Sequence, residues 1–281
     1  MNTHNLRIAA LAIAGLTLSS HHAKADPYAD GDLILGFRAT GGTGGTTNLL
    51  LNLGSASNFR DAATQTTLSL GNLDADLDSI FGGSWNTRSD VLWSISGTQF
   101  TAGNGFTNRA LFASRAQAFP LGPVGSSNSV AWARGSTSTQ GIPAGKLAAF
   151  GTKYGVGTTG AVSGTDQIES TNAPLGLVQP HAQTNSYEEF MSGGSQSSSG
   201  SSFAYFSGGI ESSFANGANG TALDFYIMPA GTGAGTYEGT FTISNSGDVT
   251  YTPQGVPEPS SALMLALGGT ALGFIRRRQR A

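Results

Sequence analysis

The chain has 281 residues, 41 of them glycine, with no cysteine and only 11% charged residues. This composition excludes a disulfide-stapled scaffold or thiolate metal site and fits short strands joined by tight turns better than a helical bundle. The formal charge of −3 conceals an uneven distribution: residues 26–258 hold eight basic residues against all 17 acidic ones, a net of −9. A body this acidic argues against nucleic acid or an anionic membrane as its partner.

The first residues read as an export signal. Arg7 is followed by an apolar stretch from Ile8 to Leu18, and then by the small-x-small sequence Ala23-Lys24-Ala25. These are the parts of a secretory signal peptide, which predicts cleavage between Ala25 and Asp26. His21 and His22 leave with it.

Beyond it, Asp32 to Ala39 and Asn48 to Leu53 read as two strands of a hairpin around Gly41-Gly42-Thr43-Gly44-Gly45. Leu73, Leu77, Ile80 and Phe81 keep helical spacing, with Asn72 as cap and Gly82-Gly83 as terminator. Val91 to Ser96 alternates as a strand does, and Ala110 to Ser114 is a further strand. Pro143 to Tyr154 predicts a helix with Pro143 in its first turn and Leu147 and Phe150 buried. A short helix is expected over Thr184 to Met191. Ser192 to Ser202 is low in complexity and reads as a surface loop. Phe203 to Phe206, Leu223 to Met228, Thr240 to Ser244 and Asp248 to Thr252 read as strands, the last two as a hairpin around Asn245-Ser246-Gly247. No repeat of fixed period is present.

The final 26 residues have three parts: Val256-Pro257-Glu258-Pro259, a nearly uncharged run from Ser260 to Ile275, and Arg276-Arg277-Arg278-Gln279-Arg280. The two prolines keep Glu258 extended and accessible. Ala262 to Ile275 covers about 21 Å as a helix, short of a ~30 Å hydrocarbon core, and Ser260, Ser261 and snorkelling arginines bring it nearer to a span. The arginines hold that end on the cytoplasmic side and leave the preceding chain outside. This tail resembles the PEP-CTERM sorting signal of Gram-negative bacteria, also labelled an ice-binding protein C-terminal domain. The resemblance implies recognition by exosortase, an integral-membrane cysteine transpeptidase that cleaves near Pro257-Glu258-Pro259 and passes the protein to the cell surface or exopolysaccharide. The phrases at residues 32–57, 223–231 and 237–253 resemble those common in the cargo of such proteins, and they bring no activity with them.

No catalytic constellation stands out in the body. His181 is its single histidine and lies in a loop-like setting, there is no cysteine nucleophile, and there is no Gly-x-Ser-x-Gly elbow. Asp74, Asp76 and Asp78 alternate as in a calcium loop, but Ser79 and Trp85 occupy the positions that need glycine and glutamate. The helix dipole accounts for Asp74, and a solvated helix face accounts for the other two. Glu188 and Glu189 are adjacent and point apart on a helix, a poor acid–base couple. Gly155 to Gly160 matches Gly-x-Gly-x-x-Gly without the strand–helix context that gives that motif its meaning. Trp85, Trp93 and Trp132 are either a sugar-stacking platform or, more commonly in a sheet protein, core. The threonine pairs Thr240/Thr242 and Thr250/Thr252 do not recur along a solenoid, as an ice-binding face would need.

The expectation is a mainly β, antiparallel, sandwich-like domain over residues 26–255 with a few short helices. It is preceded by a signal peptide over 1–25 and followed by a sorting signal with a short transmembrane helix over 256–281. Its expected role is that of a non-enzymatic surface or extracellular-matrix protein without cofactor or metal. The expected partners are the export translocon, exosortase, the inner membrane through the tail, and exopolysaccharide. A carbohydrate-binding module with exposed tryptophans and an exported glycoside hydrolase with two facing carboxylates are the alternatives.

Overall fold

A computed structural model describes residues 28–62, 66–117, 126–127, 129–156, 167–168, 176–181, 186–191, 209–214 and 222–255. The expected signal peptide, the loop at 192–202, the strand at 203–206 and the sorting tail lie outside the described residues.

Among the described residues the elements run β1 (Asp32–Ala39), β2 (Thr47–Ser55), α1 (Ala56–Arg60), β3 (Leu68–Asn72), α2 (Asp74–Phe81), β4 (Val91–Gln99), β5 (Ala110–Ala116) and α3 (Thr137–Val156). There follow β6 (Gln167–Ile168), β7 (Gly176–Pro180), α4 (Tyr187–Met191), β8 (Ser212–Ser213), β9 (Ala222–Met228), β10 (Thr236–Ile243) and β11 (Asp248–Pro253). The strands form one sheet in the order β3-β11-β10-β9-β5-β4-β1-β2-β7-β6, with β8 paired to β4 off that path. Every pairing is antiparallel. The fold is therefore mainly β as expected, and its layers come from one continuous sheet curled over on itself. The curl is visible at α1, which follows β2 yet puts Phe59 5.3 Å from the Phe241 ring of β10 and 5.1 Å from the Tyr251 ring of β11.

Strand alternation builds two cores. Leu33, Leu35 and Phe37 of β1 point inward with Trp93, Phe112, Phe225, Phe241 and Tyr251, enclosed with α1 and α2. Ile34 of β1 points outward with Leu50, Leu111, Tyr226 and Met228, under Leu147 and Phe150 of α3 and Tyr187 and Phe190 of α4. Because both faces are covered, all eight residues of β1 are buried, and the strand reads as a nearly continuous apolar run.

The helices correct the sequence reading in two places. α3 begins at Thr137, six residues before the expected start, so Pro143 lies inside the helix and not in its first turn. Ser136 explains the earlier start: its hydroxyl accepts from Thr139 N at 3.2 Å, and its carbonyl accepts from Gln140 N at 2.9 Å. Pro143 then costs the helix one hydrogen bond, while Leu147 and Phe150 are buried as expected. In α2 the Asn72 side chain accepts from Asp74 N at 3.1 Å, and Gly82 ends the helix at φ +87°, a conformation only glycine adopts without strain. Asp76, expected on the solvated face, is buried at the flank of the arc formed by Leu77 and Phe81.

One departure from a regular sheet matters for the site. β5 pairs with β4 only at Ser96–Gln99, so the first half of β4 has parted from it. The chain at 210–214 fills the opening. Ser212 and Ser213 pair with Trp93 and Leu92, Ile210 belongs to the outer core, and Phe214 reaches the inner one. Ser114 staples the gap, its hydroxyl accepting from Ile95 N at 2.8 Å and donating to Ile210 O at 2.9 Å.

Candidate functional site

A buried ion-pair cluster lies on the outer face of β1, under α4 and beside the 210–214 insertion. Strand alternation turns Arg38 outward, and register aligns it with Asn48 of β2, which in turn faces Gln179 of β7. The guanidinium donates to both carboxylate oxygens of Glu211, at 2.8 and 2.6 Å, and through Nη1 to Glu188 at 2.8 Å. Gln179 Oε1 accepts from Tyr187 N at 2.6 Å and from Asn48 at 3.2 Å, anchoring the start of α4. Tyr187 OH donates to Gly36 O at 3.2 Å and shares a 2.6 Å hydrogen bond with Ser94. Its ring lies so close to the strand that a Cβ on Gly36 would overlap it, which explains a glycine in mid-strand.

Burial sets the electrostatics. It pushes the Glu211 carboxyl up, against the pull of the Arg38 hydrogen bonds and charge. Burial also works against the charge on Arg38, but the carboxylates of Glu211 and Glu188 outweigh it and hold the guanidinium protonated. The Tyr187 hydroxyl is raised by burial and by Glu211. His181 is lowered by burial, opposed by Glu188, and its Nε2 donates to Thr47 O at 2.9 Å.

The chemistry open to this cluster is limited. Glu211 takes one side of the guanidinium and Glu188 another, so Arg38 occupies the space between the carboxylates where a glycosidase holds its sugar. Glu189 takes no part in that pairing, and its backbone N–H donates to Ser186 Oγ. Trp85, Trp93 and Trp132 are at most 5% exposed, which removes the sugar-stacking platform and the main support for a carbohydrate-binding module. Asp74 accepts from Trp85 Nε1 at 3.2 Å, and no group of three metal-ligating side chains converges among the described residues. The threonines form cross-strand pairs, Thr240 with Thr252 and Thr242 with Thr250, on the outer side of β10 and β11. Of the glycine-rich motif, only Gly155 and Val156 are described, as the end of α3.

Arg38 and Glu211 were not legible as a site, since they are 173 residues apart. The one local signal is an arginine in the otherwise apolar strand Asp32–Ala39.

The antiparallel order gathers both ends of the described body at one pole. β1 begins there, as does α1, whose Ala56 N donates to Gly31 O at 2.8 Å, and β11 ends there, with Tyr251 OH donating to Phe59 O at 3.1 Å. The last hydrogen bond of the body is Gln254 N to Glu238 O at 2.7 Å. Ala23, Ala25 and Asp26 of the expected signal-cleavage site precede the described residues. Val256, Pro257, Glu258 and Pro259 of the sorting motif, and Arg276, Arg277, Arg278 and Arg280 of the basic end, follow them. Among the described residues no helix is long and apolar enough to cross a membrane.

Comparison with curated proteins and with solved structures finds no match. A family model described as the PEP-CTERM protein-sorting motif matches residues 255–279. Directly behind the last strand of its sheet, therefore, this chain bears a PEP-CTERM sorting motif, the mark of exported proteins sorted by exosortase.

Proposed function

We propose that this is a surface or extracellular-matrix protein, associated with exopolysaccharide, whose β body works by presence and packing and not by catalysis. A signal peptide over 1–25, cut between Ala25 and Asp26 after the small residues Ala23 and Ala25, starts export. The body occupies 26–255. The tail over 256–281 places a short helix in the inner membrane, with Arg276, Arg277, Arg278 and Arg280 on the cytoplasmic side and Val256-Pro257-Glu258-Pro259 offered to exosortase.

The observation that carries this reading is the match at 255–279 immediately behind a finished sheet. From Gln254, the last hydrogen-bonded residue, Glu258 is at most about 14 Å away along an extended chain. Exosortase must therefore work close against the folded body. A non-catalytic body is supported by the Arg38 guanidinium filling the space between Glu188 and Glu211.

Intact-mass spectrometry of the protein from host strains with and without exosortase tests the reading. The expected species starts at Asp26 and ends between Pro257 and Pro259 only when exosortase is present. Retention of Arg276 to Arg280 in both strains makes the tail an ordinary anchor and overturns the sorting step.

A further inference from the structure

Three large hydrophobic residues are exposed among the described residues: Phe100, Val130 and Ile142. Two of them are neighbours at the pole where β1 begins and β11 ends. Phe100 directly follows β4, and its ring edge lies 3.7 Å from where a Cβ on Gly145 of α3 would stand. Ile142, 53% exposed, is one helical turn before Gly145 on the outward side of α3. Single exposed apolar residues carry no message, but neighbouring ones at the pole where the described body ends do.

The charges around them point the same way. Lys146 lies in α3, one turn beyond Ile142. Arg109 donates to Thr137 O at 3.0 Å at the start of the same helix. Arg134, by the end of β9 at this pole, donates to Pro229 O and Ala230 O. The acidic groups here are Asp30, Asp32, Asp61 and Glu238. Asp30 accepts from Phe100 N and Thr101 N, Asp32 accepts from Ala29 N and Asn52, and Asp61 is paired with Arg60. The opposite pole carries Asp74, Asp76 and Asp78 of α2, Asp248 at the start of β11, and Asp90, which is paired with Arg88. A body of net −9 thus carries an acidic pole where β11 begins and an apolar, lysine-bearing edge at the pole where β11 ends.

We propose that this edge, Phe100 and Ile142 with Lys146 and Arg109, is a contact face for the surface of an anionic bilayer while the tail holds the chain. Net charge alone speaks against such a partner, and it is the distribution that supplies one face able to meet it. Phe100 and Ile142 enter the interface, and the cations meet lipid phosphates. The body ends at this pole, where Gln254 N donates to Glu238 O, so the tail leaves from the end that carries the face. The inference rests on the membrane-anchored reading of the tail.

The test uses the full chain reconstituted in vesicles of phosphatidylethanolamine and phosphatidylglycerol. The chain lacks cysteine, so Ala149→Cys, on the outward side of α3, and Asn245→Cys, in the β10–β11 turn at the far pole, each give one site for an environment-sensitive fluorophore. A lipid-borne quencher is expected to quench the label at 149 and leave that at 245 unaffected. Adding Lys146→Ala should lower the quenched fraction at 149 about fivefold relative to the free fraction in anionic vesicles, with no change in phosphatidylcholine. Equal quenching at the two positions, or none at 149, with the chain retained by the vesicles after an alkaline wash overturns the contact face alone. A chain that washes off overturns the anchor reading and the contact face with it.

Discussion

Replacing Arg38 with leucine removes the one cation between two carboxylates, and the consequence follows from burial. The Arg38 side chain is 6% exposed, that of Glu211 9% and that of Glu188 21%. Glu188 can turn toward water, whereas Glu211 cannot. Stranding a buried charge in this way costs about 3–5 kcal/mol. For a body of this size that is a fall in Tm of about 6–20 °C. The loss must depend on pH. In the variant the folded-state pKa of Glu211, already raised by burial, loses its opposing partner and rises further above the ordinary glutamate range. A folded state that holds its proton more tightly than the unfolded chain is penalised above the unfolded pKa and relieved below it. Urea titrations of wild type and Arg38→Leu at pH 7 and pH 3.5 are therefore expected to differ strongly at the first and far less at the second. Arg38→Leu with Glu211→Leu, which leaves no stranded charge, should recover most of the loss. A deficit below about 1 kcal/mol at pH 7, the range of an exposed ion pair, or one of equal size at both pH values, would refute the reasoning.

Glu238, beside the chain exit, offers a second titration. Burial pushes its carboxyl up to about 7, with Arg60 opposing, so the folded body binds an extra proton between its unfolded value of 4.5 and 7. Stability should decline as pH rises through that window, and Glu238→Gln should abolish the decline and raise stability at pH 8 by ~1–2 kcal/mol, after a discount for partial exposure. Phe214→Ala empties the point where the 210–214 insertion meets the inner core. Its ring stacks 6.4 Å from Phe37 and 6.1 Å from Trp93, and meets Trp85 edge-on at 5.0 Å. The expected cost is about 3–5 kcal/mol by urea unfolding, with tryptophan emission shifted to the red as water reaches Trp85 and Trp93.

The hairpins β1–β2 and β10–β11 are legible in the sequence because alternation and turn residues lie within a few positions of each other. α2 is legible for the same reason, through its spacing, Asn72 and Gly82. α1 and β7 are five residues each and carry no periodicity; α1 is held by the Ser55 side chain, which accepts from Ser57 N, and by the burial of Phe59. Pro143 misleads because a proline suits a first turn, and only Ser136 reveals the earlier start. The Arg38 cluster draws on β1, α4 and residue 211, so no window of sequence holds it. The sorting motif is the opposite case: a linear signal can be read without any tertiary structure.

The place of β11 gives the fold a sense of time. β3 has β11 as its neighbour, with Asp248 opposite Asn72, so a chain supplied from its N-terminus holds β3 without a partner until nearly all of the body has been delivered. The sheet is thus completed by the last strand before the tail, and any chain that ends before β11 lacks both its closing strand and its sorting motif. Assembly and address are in this way read from the same end of the polypeptide, and a product truncated before β11 has neither a finished body nor the means to be sent onward.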